Sequence, residues 1–333
     1  MARNRIIPLF IPHAGCPCAC VFCNQKKITG LDTPVTPEQV QKEIEAALPW
    51  AGTGCQLAFY GGSFTAMQPE TQEKLLQAAA PYLRDGSIRS IRLSTRPDAV
   101  DGETIARLKA YGVTTVELGC QSMDNRVLSL SGRGHSREDT IRASELLHQG
   151  GLSQVLQMMT GLPGDDGTTS LDTAEALIRL RPQGVRIYPT VVLRHTELYR
   201  MLQRGDYQPQ SVESAVRLCA ALYEKFLTAD IPVIRVGLNP TEDLSGGEAV
   251  AGAYDPALGE RVLSRMYRNR AERLLLAQPE VKNAVFYVHP RRISVMVGQK
   301  RENLRYLQEK FSLSSIKVRP QEGTEWEIFL KKG

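Results

Sequence analysis

No apolar run in the 333 residues approaches the roughly 18 that a membrane-crossing helix requires. The amino terminus, MARNRIIPLFIPH, turns polar too early for a secretory signal, so the expected address is cytoplasmic, with no membrane partner. Internal repeats and low-complexity tracts are absent, which excludes solenoids and repetitive linkers. An even set of cysteines is lacking too. There are seven, four of them between Cys16 and Cys23, a crowding that suits metal binding in a reducing compartment better than a disulfide framework. The scattered Cys55, Cys120 and Cys219 sit in apolar neighbourhoods and read as small buried hydrophobes.

What is present is ample core material. With 42% apolar residues, the chain can bury one large core, and its length suits a large domain plus a small one. The formal charge of +5 is unevenly spread: residues 260–333 hold 16 Lys and Arg against 8 Glu and no Asp. The basic character therefore belongs to the C-terminal part, as either a nucleic-acid-facing surface or a solvated face.

Short β-branched runs alternate with segments of helical period, the pattern of a parallel sheet with crossover helices. Six units are expected, with strands at 6–11, 56–60, 90–94, 114–118, 153–158 and 184–188 and helices at 37–48, 69–83, 103–111, 137–149 and 170–180. Pro37 and Pro69 stand where a first helical turn accepts proline. The fold class expected is α/β, a partial (β/α)6 TIM-like barrel, followed by a small α+β domain. Helical segments at 196–205 and 211–229 and a strand-like stretch at 233–236 follow. The Gly-, Asn- and Pro-rich stretch from Gly237 marks the boundary, giving domains 1–236 and 237–333. In the second domain, helices at 258–276 and 301–311 are expected among strands at 284–288, 293–297, 316–319 and 326–330.

The segment GCPCACVFCN follows the first strand, on the barrel face where such folds place their sites. Cys16, Cys20 and Cys23 are spaced C-x3-C-x2-C, enough to hold three irons of a cubane and leave the fourth open to a ligand. Zinc is the competing reading, because Cys18 supplies a fourth thiol. Its spacing counts against that: three sulfurs would have to converge from one short extended run.

The motif CPxxCxFC resembles the signature of the radical S-adenosylmethionine (SAM) superfamily. GGSFT (61–65), TRPD (95–98), ELGCQS (117–122), GRGHS (132–136), MMTGLPGD (158–165) and RIYPTVVLRHTELY (186–199) together resemble the radical SAM domain of the Elongator catalytic subunit, in the order of the βα units. A more distant likeness is to oxygen-independent coproporphyrinogen oxidases. The resemblance implies a [4Fe-4S] cluster on Cys16, Cys20 and Cys23 that, given an electron donor, cleaves SAM to a 5′-deoxyadenosyl radical. It implies that Gly61, Gly62 and Ser63 meet the methionine amino group of SAM. Gln121 would meet its ribose or carboxylate, and Arg133 its carboxylate, for which a guanidinium is well suited. Gln157 stands where some relatives carry an acid for the ribose hydroxyls, and Ser94 where relatives have a glutamate. Tyr188, Pro189 and Thr190 would line the adenine pocket. His135 reads as structural and His13 as packing, Cys18 and His195 have no assigned role, and no side chain is assigned to catalysis.

The Elongator subunit also carries an acetyltransferase domain. Residues 237–333 contain no Q/R-x-x-G-x-G/A turn of the kind that cradles coenzyme A phosphates, so the resemblance does not extend to acetyl transfer. The expected substrate is tRNA or another RNA, met through the basic C-terminal domain, in which Gly298 to Arg301 open a helix and Tyr287 and Tyr306 are the aromatics available for base stacking. A small-molecule substrate and a zinc-stabilised binding module are the alternatives.

Overall fold

The structure, a computed structural model, describes residues 5–11, 14–16, 20–24, 35–241 and 244–333. Cys18 and His13 lie outside the described residues.

Seven strands pair in parallel in the order β1, β2, β3, β4, β5, β6, β8. They are β1 (Ile6–Phe10), β2 (Cys55–Tyr60), β3 (Ile88–Thr95), β4 (Val113–Gln121), β5 (Ser153–Thr160), β6 (Gly184–Pro189) and β8 (Val233–Val236). β7 (Val191–Leu193) pairs instead with β9 (Ala249–Gly252), antiparallel. The seven curl into a partial TIM-like barrel, as expected. The sheet gains one strand over the six foreseen, because Val233–Val236 adds to β6 rather than standing apart.

Between the strands run α1 (Pro37–Ala51), α2 (Pro69–Arg84), α3 (Gly102–Ala110), the short α4 (Asn125–Leu130), α5 (Arg137–Gln149) and α6 (Gly167–Arg179). Local chemistry fixes their starts. Thr36 and Gln39 form a capping box ahead of Pro37, Ser136 and Asp139 another, and Asp101 and Asp166 each accept a backbone N–H of the first turn. The helices bury Val40, Ile44, Leu76, Leu108, Leu147 and Leu177 against Leu57, Leu93, Val116, Leu118, Leu156 and Ile187 of the strands, all at most 2% exposed. Each such side chain contributes about 1.5–3 kcal/mol.

Strand period then decides the other face. In β4, Val116, Leu118 and Cys120 go to this core, so Glu117, Gly119 and Gln121 go to the barrel interior, where they line a cavity.

The chain divides into two units, residues 1–210 with 226–254, and residues 211–225 with 255–333. The boundary expected at 236/237 thus falls within the first unit: β9, beyond it, is tied to β7. α7 (Glu197–Arg204) belongs to the first unit, and α8 (Val212–Thr228) contributes its residues 212–225 to the second. The second unit also has α9 (Leu258–Leu276), α10 (Ile293–Val297), α11 (Glu302–Lys310) and a three-stranded sheet in the order β11 (Ser315–Pro320), β10 (Asn283–Val288), β12 (Ile328–Lys332). Residues 293–297 are helical rather than the strand expected. Their β-branched letters favour a strand, but a 3-10 turn at Pro290–Arg292 leads into them and helical winding buries Met296.

Much of the second unit's positive charge is neutralised within it. Glu213 pairs with Arg261 and Arg265, Glu224 with Arg270 and Arg273, Glu325 with Arg291 and Arg292, and Glu272 with Lys310.

Candidate functional site

A cavity of ≈ 900 Å³ opens inside the partial barrel of the first unit, within the 300–1,000 Å³ usual for ligand sites. Cys16, Cys20 and Cys23 line it together with Gly61, Gly62, Ser63, Ser94, Gln121, Arg133, Gln157 and Tyr188. Of the residues marked in the sequence, Pro189 and Thr190 are not in this lining. Pro189 continues the pairing of β6 with Thr160, and the Thr190 hydroxyl donates to the Thr160 carbonyl at 2.7 Å.

The cysteine segment is built against the end of β2. Ser63 donates its N–H to the Ala14 carbonyl at 2.8 Å. A side chain on Gly62 would stand 2.6 Å from both the Ala14 and Ile11 carbonyl oxygens, and one on Gly15 2.2 Å from the Ser63 carbonyl oxygen. Backbone rests on backbone, so both positions require glycine. Cys16 Sγ is 3.4 Å from Ser63 Oγ. The turn from Cys20 to Cys23 is closed by a Cys23 N–H to Cys20 carbonyl bond of 3.0 Å and held by Val21, which donates to Ser131 and accepts from Leu198.

Arg133 connects this segment to β4. It donates from one terminal nitrogen to the Gly119 carbonyl at 2.7 Å and from the other to Cys20 Sγ at 3.4 Å, while its buried Nε has no partner. Gln121, in the left-handed region at φ 63°, follows a shift of register between β4 and β5. Such a backbone costs on the order of 1 kcal/mol and persists where surroundings enforce it. Its Oε1 is buried without a hydrogen bond. Two orphaned polar atoms on one wall are what a bound polar ligand would satisfy.

The cavity floor is a charge network that sequence reasoning missed. The Glu117 side chain is fully buried. Arg186 brings Nε to 2.8 Å of one carboxylate oxygen and donates from NH2 to the other at 3.0 Å, and Arg92 donates at 2.8 Å. Tyr60 donates its hydroxyl at 2.9 Å and Gln157 its amide at 3.0 Å. Burial opposes ionisation of Glu117, but Arg186 and Arg92 outweigh it and hold the carboxyl below its ordinary value. Burial and then Glu117 push the Tyr60 phenol up, so it stays protonated. The signal was available: Glu117 and Arg186 are the single charges of β4 and β6, and Arg92 in β3 stands between Ile91 and Leu93. Arg235, Asn239 and Thr241, from the stretch around the expected domain boundary, also line the cavity.

His135 is buried, its Nε2 3.2 Å from the Cys120 carbonyl oxygen, and burial and then Arg133 push it down to about 4. It takes no part in the lining. Cys55, Cys120 and Cys219 are buried, and burial pushes the Cys120 thiol up to about 12, which makes it a poor nucleophile or ligand.

Among the described residues no three His, Cys, Asp or Glu side chains converge on one point, as a mononuclear zinc site would need. A cubane asks for something different, since each thiolate binds its own iron. Three thiols on one wall, a serine hydroxyl and an arginine beside them, and a glycine-lined backbone cradle fit a cluster with a polar ligand next to it.

The family profile described as the Radical SAM superfamily matches residues 10–177, just over half of the chain. A second, described as the Radical_SAM C-terminal domain, matches residues 182–268. A tRNA uridine(34) acetyltransferase of Methanocaldococcus jannaschii is 37% identical over 129 residues, 38% of this chain and 24% of the relative. Human Elongator complex protein 3 is 30% identical over 135 residues, 40% of this chain and 25% of its own length. The match thus spans about a quarter of these curated relatives. Among solved structures, archaeal Elp3 of Methanocaldococcus infernus, with an N-terminal deletion, superposes with a TM-score of 0.64 at 25% identity, covering 80% of this chain and 63% of the other.

Proposed function

The chain belongs to the radical SAM superfamily, whose members use a [4Fe-4S] cluster and SAM, and on that premise we propose that Cys16, Cys20 and Cys23 hold the cluster, that Gly61, Gly62, Ser63, Gln121, Arg133, Gln157 and Tyr188 surround SAM, and that the enzyme acts on a tRNA or another RNA. The observation that carries the site is the convergence of the three thiols with the unsatisfied Gln121 Oε1 and Arg133 Nε on one cavity. The RNA reading is supported by the relatives named for tRNA uridine(34) acetylation and by the basic second unit. Acetyl transfer is not part of the proposal, because the matched stretch is only a quarter of those relatives.

When bound, the cluster and SAM supply a one-electron cleavage that yields a 5′-deoxyadenosyl radical, with the electron drawn from a separate donor. The chain's own residues bind and orient. Arg133 presents a cation next to Cys20 and suits a carboxylate. Gln157, its amide nitrogen committed to Glu117, offers its oxygen to a hydroxyl. Glu117, Arg92 and Arg186 hold their charges in fixed places, with the neutral Tyr60 hydroxyl donating to Glu117, so the cavity polarity need not reorganise when a substrate enters.

The decisive experiment is anaerobic purification with iron and sulfide analysis, followed by reduction with dithionite in the presence of SAM. Production of 5′-deoxyadenosine and methionine is expected. Only S-adenosylhomocysteine, or no turnover by a fully iron-loaded sample, would overturn the reading. Filter binding of tRNA across a salt series tests the substrate, because phosphate contacts must release counterions. Absence of salt-dependent affinity would leave the small-molecule alternative.

A further inference from the structure

We infer that the outer face of the β11–β10–β12 sheet in the second unit is a platform on which unpaired bases of single-stranded RNA stack. This rests on the RNA reading above and gives it a surface. The sheet lies at residues 283–332, beyond both matched stretches, which end at residue 268.

Register fixes which side chains share the face. β10 is central, and Ala284, Phe286 and Val288 are buried. The alternate residues must face the other way. Opposite Val285 stand Lys317 on β11 and Lys331 on β12, and opposite Tyr287 stand Arg319 on β11 and Phe329 on β12. The outer face therefore carries two cross-strand rows, Lys317–Val285–Lys331 and Arg319–Tyr287–Phe329.

A solvent-facing sheet would ordinarily carry polar side chains. Here two aromatic residues, Tyr287 and Phe329, occupy paired positions of one row, Phe329 being 41% exposed and among the few large apolar side chains left so. Lys317, Arg319 and Lys331 are exposed at the two edges, and among the described residues none of them has a carboxylate within ion-pair distance. That sets them apart from the many paired arginines of the same unit. The acids nearest in sequence, Glu322 and Glu327, lie in the β11–β12 connection, and Glu280 pairs with Lys332, which has the opposite parity. The Lys331 ammonium stands 4.9 Å from the Tyr287 ring centroid, a cation–π contact weak enough at an exposed site for a base to replace.

Rings flanked by unpaired cations fit one chemistry well. Bases stack on aromatic faces whatever their sequence, and the backbone phosphates running past them require positive charge. A duplex would hide its bases from the rings, so the occupant is a loop, an end or an unpaired stretch.

The test uses the full chain and a labelled, unstructured oligoribonucleotide, with a duplex of the same length and anionic phosphatidylserine vesicles as comparisons. Phe329→Ala and Tyr287→Ala should each weaken single-strand binding about tenfold, and Tyr287→Phe should bind like the parent. Lys317→Gln and Arg319→Gln should each lower the slope of log affinity against log salt by about 0.7. Phe329, Lys317 and Arg319 are exposed, so their variants will fold, and circular dichroism checks the Tyr287 ones. If the parent protein binds neither the oligonucleotide nor tRNA, the RNA reading fails and this platform with it. If the parent binds but the ring and charge variants keep its affinity and slope, the platform alone is overturned. Equal affinity for the duplex, or binding to vesicles without binding to the oligonucleotide, overturns it as well.

Discussion

Glu117 and Arg186 face each other at the floor of the barrel, a fully buried carboxylate 2.8 Å from the guanidinium Nε, with Arg92 on the same carboxylate. Glu117→Gln leaves two buried cations without a counter-charge and should cost roughly 3–5 kcal/mol. Arg186→Met should cost less, because Arg92 still compensates Glu117. Urea unfolding of the two single variants and the double variant measures this, and a coupling energy near zero would show that the pair does not act as a unit.

Gly62→Ala should leave the fold intact but prevent the cysteine segment from seating. The added carbon would meet two backbone oxygens at 2.6 Å, and no flexible side chain is there to yield. Iron content and visible absorption should drop while the far-ultraviolet circular dichroism is retained. A variant that loads iron like the parent would show that the segment can shift.

Cys16→Ala, Cys20→Ala and Cys23→Ala should each abolish stable iron loading, and Cys18→Ala should be tolerated. Arg133→Ala and Gln121→Ala should weaken SAM binding at least several-fold with the visible absorption unchanged. Equilibrium dialysis with SAM separates the two groups. Loss of the chromophore in Arg133→Ala would instead tie that residue to the cluster through Cys20.

The half-buried Asp165 and the buried His135 give opposite pH signatures. Burial pushes Asp165 up to about 6, above its unfolded value of 3.8, so its contribution to stability is present below pH 4 and lost as pH rises through 6. Asp165→Asn keeps an oxygen for the Gly161 N–H and the Ser170 hydroxyl, and should be more stable than the parent by about 1–2 kcal/mol at pH 8 and equal at pH 4. His135, pushed down to about 4 from 6.5, stabilises fully above pH 6.5, and its contribution is lost as pH falls through 4. His135→Gln should therefore flatten the acid side of the profile. Thermal melts across pH 4–8 check both signs.

The sequence carried the barrel because its signals were local. Thr36 with Pro37, Ser136 with Asp139 and the apolar alternation of β2 to β6 each need only a few neighbours to be read. Placing the cysteines in the loop after β1 and the GGS stretch at the end of β2 was enough to bring Cys16 and Ser63 together. What escaped depends on distant partners. Ile293–Val297 spells a strand and winds as a helix because burial of Met296 decides it. Glu117 looked like one more polar letter in ELGCQS, and only the β3–β4 pairing and the curl of the sheet put it beside Arg92 and Arg186, 25 and 69 residues away along the chain. Phe329 and Tyr287 share a row only through an antiparallel register that no short-range pattern reports.

The reciprocal packing of Gly15 on the Ser63 carbonyl and Gly62 on the Ala14 carbonyl makes two stretches, nearly fifty residues apart in the chain, a single interchangeable cassette. Transplanting the cysteine loop alone onto another barrel would bring it against a foreign second-strand turn and fail at the first Cβ. A chimera that exchanges residues 14–16 and 61–63 together carries its own seat with it, and drift in one stretch is restrained by the other through backbone packing as well as through the Cys16 and Ser63 side chains.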